Sequence, residues 1–254
     1  MPARLLFGLI MLSCVCVTYG RVQHLQEMIE CYLRQEPIRM DTELVIVNTM
    51  PEQTLVYDPG PDCCGPSVRV INLDKRPKTL GAARNFAIGH SIGEWISVWD
   101  DDDIYYPEFL RHHVDAIDDA RDSRWAKLAR SYYMNDFQIV SEIDTTIQAG
   151  LFDRKLWREN QYPAMNHGED REFWQKIRGI SFGTVYTPKD PRLAFGYGWQ
   201  NQVHHISGRE GKDYDRLYEV WGVKQAHGDI QLQPGWRHDY VAAREEWIRS
   251  KAVI

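Results

Sequence analysis

The sequence predicts an α/β fold: one domain with a mostly parallel central sheet flanked by helices. Two patterns carry that expectation. Short apolar runs such as Val15-Cys16-Val17 and ELVIVN (Glu43–Asn48) lack polar alternation, as expected of strands buried on both faces. Between them, apolar residues recur three and four positions apart, the spacing of amphipathic helices. Such strand–helix–strand punctuation is met most economically by right-handed crossovers in a parallel sheet. Composition agrees: 254 residues, 43% hydrophobic and 26% charged, with a mean hydropathy of -0.49, exclude a disordered or polytopic membrane chain.

In order, Ile10–Thr18 reads as a strand and Gln23–Gln35 as a helix carrying Leu25, Met28, Ile29, Tyr32 and Leu33 on one stripe. Glu43–Asn48 is a second strand. Tyr57–Ser67, dense in proline and glycine, is a loop, and Val68–Leu73 is a short strand. Thr79–Ile92 reads as a helix and Glu94–Trp99 as a strand that ends in four aspartates. Pro107 suits the first position of a helix bearing Phe109, Leu110, Val114 and Ile117. Further on, Ala126–Tyr133, Gln138–Leu151, Gly183–Tyr186 and Arg192–Tyr197 read as strands. Glu169–Arg178, Tyr214–Trp221 and Tyr240–Lys251 read as helices. No repeat or linker interrupts residues 1–254.

The amino terminus carries two readings. Arg4 followed by apolar Leu5–Val17 imitates a secretory signal over residues 1–20. The uncharged run Leu5–Gly20 has 16 residues, short of the roughly 18 to 20 needed to span a bilayer. It lacks a small-x-small cleavage site and has strong β character, so a retained strand is favoured and no membrane span is expected. Five cysteines, Cys14, Cys16, Cys31, Cys63 and Cys64, form neither an even disulfide set nor a CxxC pair. Reduced thiols and a cytoplasmic location are expected. With 30 basic and 36 acidic residues the net charge is -6, which disfavours a globally basic nucleic-acid binder.

Three segments carry chemistry. Asp100, Asp101, Asp102 and Asp103 follow a buried strand, where mutual repulsion favours a divalent cation, and oxygen ligands suit Mn2+ or Mg2+. Ligands of open α/β sheets bind at the carboxyl ends of strands. The competing reading is a solvated acidic loop ahead of the Pro107 helix. Leu80-Gly81-Ala82-Ala83-Arg84-Asn85 opens a helix with small residues that permit close backbone approach and an arginine suited to phosphate. Gly168-Glu169-Asp170 enters another helix, where acids also simply favour the first turn.

Taken together, SCVCVTYGR, ELVIVN, LGAARN, GEWISVWDDDDIYYPEFL and GEDREFW resemble, in order, the family 2 glycosyltransferases. The likeness covers about residues 10–178 well and the rest loosely. It implies the GT-A fold, a Rossmann-like nucleotide-binding architecture. Residues of about 8–120 would then bind the nucleotide-sugar, and about 121–254 would serve acceptor and catalysis. The resemblance places Thr18 and Tyr19, in the segment that continues to Arg21, along the nucleoside, and Arg84 near the base or diphosphate. Asp100, Asp102 and Asp103 match a DxDD motif: Asp100 near the ribose with Asp101 at the variable position, Asp102 and Asp103 holding Mn2+ or Mg2+. Asp170 matches the general base of inverting members, supported by Glu169. His204-His205 is the segment for a further metal ligand, His205 preferred.

The resemblance implies a metal-dependent, inverting transfer from a nucleoside-diphosphate sugar to an acceptor hydroxyl by single displacement. Asn48 stands where the family usually has an acid that reads uracil; an amide both donates and accepts, leaving the base open. Gly20 replaces a common asparagine. Neither the transmembrane helices nor the QxxRW segment of processive members occurs, so a single-addition enzyme is expected; Gly198-Trp199-Gln200 is no adequate substitute. Acceptor candidates are a saccharide, a lipid-linked sugar, a protein, a small molecule or, on the strength of Arg121, Arg124, Lys127, Arg130, Lys75, Arg76 and Lys78, a modified base in DNA. Trp157, Tyr162, Trp174, Tyr197 and Trp199 are candidates for stacking on sugar, though core packing is their ordinary use. The alternatives are a nucleotidyltransferase, whose usual lysine-bearing glycine loop is absent from Thr18–Gln26, and a non-catalytic carbohydrate- or metal-binding module.

Overall fold

The computed structural model describes residues 10–60, 66–135, 138–144, 150–187, 192–198 and 228–251. Its centre is strand β1 (Met11–Thr18), which pairs in parallel with β2 (Asp41–Asn48) on one side and with β5 (Trp95–Trp99) on the other. Alternate residues of β1 enter different cores: Leu12, Cys14 and Cys16 pack on one face and Val15 on the other. Burial on both faces explains the unbroken apolar run. Because β1 is paired on both sides, removing residues up to Gly20 would remove an interior strand of the sheet.

Helix α1 (Val22–Leu33) returns from β1 to β2 and buries Leu25, Met28, Ile29 and Tyr32. After β2 comes β3 (Gln53–Val56), then β4 (Ser67–Asn72), which continues the parallel sheet beside β2. Helix α2 (Leu80–Gly89) leads into β5 and is capped by Thr79, whose hydroxyl accepts the Ala82 N–H at 3.2 Å. The short β6 (Ile104–Tyr105) and α3 (Phe109–Asp119) follow the aspartates. Pro107 does not sit at the first helical position: it precedes the Glu108 N-cap, and its carbonyl instead accepts the Glu36 N–H at 2.8 Å.

The second half departs from simple βα alternation. The expected strand Ala126–Tyr133 is two strands, β7 (Trp125–Leu128) and β8 (Arg130–Asn135), in different sheets. Likewise Gln138–Leu151 resolves into β9 (Gln138–Asp144) and β10 (Gly150–Asp153). β10 inserts antiparallel between β5 and β7. After α4 (Arg154–Glu159) and α5 (Glu169–Ile180), β11 (Thr184–Tyr186) joins β7 in parallel. The main sheet therefore runs β11-β7-β10-β5-β1-β2-β4, mostly parallel with helices against it. A second sheet, β6-β12-β8-β9, includes β12 (Phe195–Gly198). The helix expected at Tyr214–Trp221 lies outside the described residues, as do Cys63 and Cys64.

The carboxy-terminal segment returns to the first half. Its strand β13 (Gly228–Gln231) pairs with β3, and helix α6 (Tyr240–Lys251) docks beside the start of α3. There Arg244 donates from both terminal nitrogens to the Glu108 carboxylate, each at 3.0 Å, and its guanidinium lies 4.3 Å from the Tyr106 ring centroid. Burial pushes the Glu108 carboxyl up, but the bonds from Arg244 overcome this and hold it below its usual range. Among the described residues no helix is long and apolar enough to cross a membrane.

Removing one partner of a buried pair strands the other charge, at a cost of about 3–5 kcal/mol. Arg244→Met should therefore lower the urea midpoint by a corresponding amount. Glu108→Gln combined with Arg244→Met should recover much of the loss, because no charge is then left buried alone. Equal losses in single and double variants would show that packing, not charge pairing, holds α6.

Candidate active site

Parallel register brings the carboxyl ends of β1, β2 and β4 level, with β5 ending beside them. Thr18 lies opposite Asn48, Asn48 opposite Asn72, and Cys16 opposite Trp99. The chain after Trp99 therefore turns at the same edge as Thr18 and Asn48, the edge where open α/β sheets bind ligands. The turn rests on an aromatic floor: Trp99 stacks on Tyr105 with centroids 3.8 Å apart, and Phe109 meets both rings edge-on. The Tyr105 hydroxyl accepts the Asp100 N–H at 2.8 Å, so the floor also sets where the acidic turn begins.

The aspartates have separate partners. Thr18 donates its hydroxyl to Asp101 Oδ2 at 2.6 Å, and Arg21 pairs with the other Asp101 oxygen. The second arm of Arg21 reaches Asp102 Oδ2 at 2.5 Å, while its guanidinium lies 4.5 Å from the Tyr19 ring centroid. Arg84 holds Asp100 Oδ1 at 2.8 Å. Burial pushes the Asp101 carboxyl up to about 6 against the pull of Arg21. Burial likewise raises Asp100, opposed by Arg84 and reinforced by Asp102. Asp103 is buried beneath the turn, its N–H directed to the Asp100 carbonyl at 3.4 Å.

LGAARN explains how Arg84 arrives there. Gly81 packs against the segment between α4 and α5, where a Cβ would lie 1.9 Å from the Pro163 carbonyl oxygen. Leu80 N–H donates to Asn166 Oδ1 at 2.9 Å, and the Asn85 carboxamide bonds both the N–H and the carbonyl of Tyr162 at 2.9 Å. With the two segments stapled, the other arm of Arg84 reaches Glu169 Oε1 at 2.9 Å. Gly168 supplies the positive φ of 76° that turns the chain into α5, a conformation glycine adopts without steric cost. Asp170 then stands in the first turn and accepts the Arg171 N–H at 2.7 Å. Burial raises the Glu169 carboxyl, opposed by Arg84. One guanidinium thus joins the acidic turn to the Glu169–Asp170 pair.

Asn48 is turned inward. It is 0% exposed; its amide donates to the Gln53 carbonyl at 2.9 Å and to Asn72 Oδ1 at 3.0 Å, and its carbonyl accepts the Met50 N–H at 3.1 Å. It fixes the path of the chain after β2. Trp157, Tyr162 and Trp174 are buried in the core, Tyr197 is partly buried against it, and Trp199, His204 and His205 lie outside the described residues. Asp102 and Asp103 offer oxygen donors of the kind Mn2+ and Mg2+ accept. Among the described residues, however, no three His, Cys, Asp or Glu side chains converge to hold an ion.

One charged residue behaves differently from its sequence reading. Lys127, grouped above with surface bases, is 2% exposed in β7. Its ammonium lies 4.4 Å from the Trp174 ring centroid. Trp174 follows Asp170 by one helical turn, on the same face of α5. Burial first, then Arg178, push the ammonium down to about 7, while Asp170 opposes the shift. The alternation of β7 alone gave no sign of this, because both faces of the strand are buried.

The sequence profile described as Glycosyl transferase family 2 matches residues 13–168. The uncharacterized glycosyltransferase YwdF of Bacillus subtilis is 33% identical over 241 residues, 84% of this chain and 84% of that protein. The chain belongs to glycosyl transferase family 2. The succinoglycan biosynthesis protein ExoO of Rhizobium meliloti is 33% identical over 106 residues, 42% of this chain, and the match spans only 29% of ExoO. Among solved structures, S. aureus TarS 1-349 in complex with UDP-GlcNAc superposes with a TM-score of 0.57 at 16% identity, over 84% of this chain and 65% of that one. The mannosyltransferase PcManGT of Pyrobaculum calidifontis, in complex with GDP-Man and Mn2+, gives 0.55 at 14% identity, over 84% and 60%. At such identities the structural likeness speaks to the fold: this family 2 glycosyltransferase has GT-A neighbours, as the ordered motifs implied.

For Lys127 the sign of linkage is definite. The unfolded chain keeps this proton up to a pKa of about 10.4, whereas the folded state releases it near 7. Between those values the unfolded state binds more protons, so stability from this group rises with pH and is lowest below about 7. Lys127→Met should raise Tm most at pH 6, with the gain over wild type shrinking towards pH 10. A Tm difference independent of pH would assign the titration elsewhere.

Proposed function

We propose that this chain transfers a sugar from a nucleoside-diphosphate sugar to an acceptor hydroxyl by one displacement with inversion, and that the transfer depends on a divalent metal. The supporting observation is the Arg84 bridge, a single buried guanidinium contacting Asp100 and Glu169. It sets the acidic turn and the Glu169–Asp170 pair on either side of one cation. Tyr19 borders the nucleoside, while the buried Thr18 and Asn48 act through what they fix, Thr18 through Asp101 and Asn48 through the path of the chain after β2. Arg21 and Arg84 face the diphosphate, whose oxygens accept from the planar, forked guanidinium.

Asp102 and Asp103 would hold Mn2+ or Mg2+, with His205 as a further ligand, and the ion would offset charge on the departing diphosphate. Asp170 removes the proton from the acceptor hydroxyl. The acceptor oxygen forms its bond to the anomeric carbon as the bond to the diphosphate oxygen breaks, and that electron pair leaves with the nucleoside diphosphate. Glu169, fixed by Arg84, keeps the entry to α5 in place so that Asp170 holds its direction. The acceptor favoured is a saccharide or other small hydroxyl compound. Of the bases that suggested DNA, Lys127 is buried, while Arg124 and Arg130 are paired with Asp153 and Glu142.

UDP-, GDP-, CDP- and dTDP-sugars, each with and without Mn2+, should include one that raises Tm, since a ligand bound to the folded state alone stabilises it. Asp170→Asn should keep that shift while turnover, read as release of nucleoside diphosphate, falls on the order of 10² to 10⁴. Unchanged turnover in that variant would remove Asp170 from the role of base. No shift with any donor would remove the donor class.

A further inference from the structure

The acidic turn already contains a cation of its own. Arg21 leaves β1 at Gly20, a residue with φ of 90°, and places its guanidinium between Asp101 and Asp102. The Tyr19 ring backs it at 4.5 Å, so the group is clamped on three sides. Asp101 is tied a second time through Thr18, which makes it the anchoring partner. Arg21 holds Asp102 through Oδ2, and Asp102 is the residue placed above as a metal ligand. A guanidinium and a divalent ion repel each other and compete for that carboxylate. Arginine is equally suited to phosphate oxygens, which it grips in the same forked geometry as carboxylate.

We infer that Arg21 is a resident counter-cation of the metal site: it holds Asp102 while no donor is bound, and exchanges that carboxylate for a phosphate oxygen when the diphosphate arrives. Asp101 keeps the guanidinium in place through the exchange. Binding is then ordered by charge. Metal alone meets an occupied carboxylate and binds weakly, whereas metal with diphosphate meets a carboxylate that has just been released. This inference rests on the reading of Asp102 as a metal ligand and of the turn as the diphosphate site.

Mn2+ titrated into nucleotide-free protein, followed by the electron paramagnetic resonance signal of the free ion, tests it without any turnover. Arg21→Met should bind Mn2+ alone about tenfold or more tightly than wild type, the scale of one close charge interaction. The same variant should bind UDP or GDP without metal about tenfold more weakly, because the phosphate contact is lost. Should Arg21→Met fail to fold by circular dichroism, Arg21→Lys retains the charge without the fork, and a few-fold gain in Mn2+ affinity is expected. Equal or weaker Mn2+ binding in the folded variant overturns the inference, even if donors bind the wild type normally. A gain in Mn2+ affinity with no donor binding in the wild type would uphold the counter-cation while refuting the donor reading.

Discussion

Burying several carboxylates at one strand edge is the constraint around which this molecule is arranged. Asp100, Asp101, Asp102, Asp103, Glu169 and Asp170 are gathered within one region, where Arg21 joins Asp101 to Asp102 and Arg84 joins Asp100 to Glu169. Buried charge is tolerated only when paired and hydrogen-bonded, so the course of the backbone on either side follows from these contacts. Gly20 lets Arg21 turn inward. Gly81 lets α2 approach the chain between α4 and α5 closely enough for Arg84 to reach both acids. The aromatic floor beneath the turn supplies rigidity that carboxylates alone cannot provide, since their mutual repulsion opposes a tight turn.

What was legible in the sequence was local. Both β1 and β2 announced themselves because burial on two faces removes polar alternation, and LGAARN read as a helix start from its small residues, a start that Thr79 caps. The acidic turn was visible as composition, and its location at a strand end followed from the same periodicity. What was not legible depends on pairing at a distance. The break between β7 and β8 falls at Ala129, whose N–H donates to the Tyr186 carbonyl; nothing in WAKLARSYY marks it. β10 inserts antiparallel between two strands far from it in sequence. Lys127 reads as surface because lysine usually is, and the arrival of Trp174 from α5 over its ammonium is not visible in the local sequence.

The site shows the same division. Residue types and order identified the acids, yet the distribution of partners among them did not follow from spacing. Thr18 and Asp101 are 83 residues apart and share a hydrogen bond. Asn48 illustrates the limit most clearly. An amide at a strand end has the right groups to read a base, but its donors meet Gln53 in β3 and Asn72 in β4 and its acceptor meets Met50, a preference set by the path from β2 to β3.

The last described helix closes over a floor laid down much earlier in the chain. Arg237 and Tyr240 bond the buried Glu27, and the Tyr240 contact joins residues 213 apart in sequence. Glu108, at the root of the helix after the acidic turn, waits for an arginine 136 residues downstream. Loops of that span must close before either carboxylate finds its partner, and topologies dominated by such remote contacts form slowly. During synthesis, then, the amino-terminal sheet would emerge from the ribosome with two acids still hydrated. These contacts would form late, once residues 237–244 return to Glu27 and Glu108.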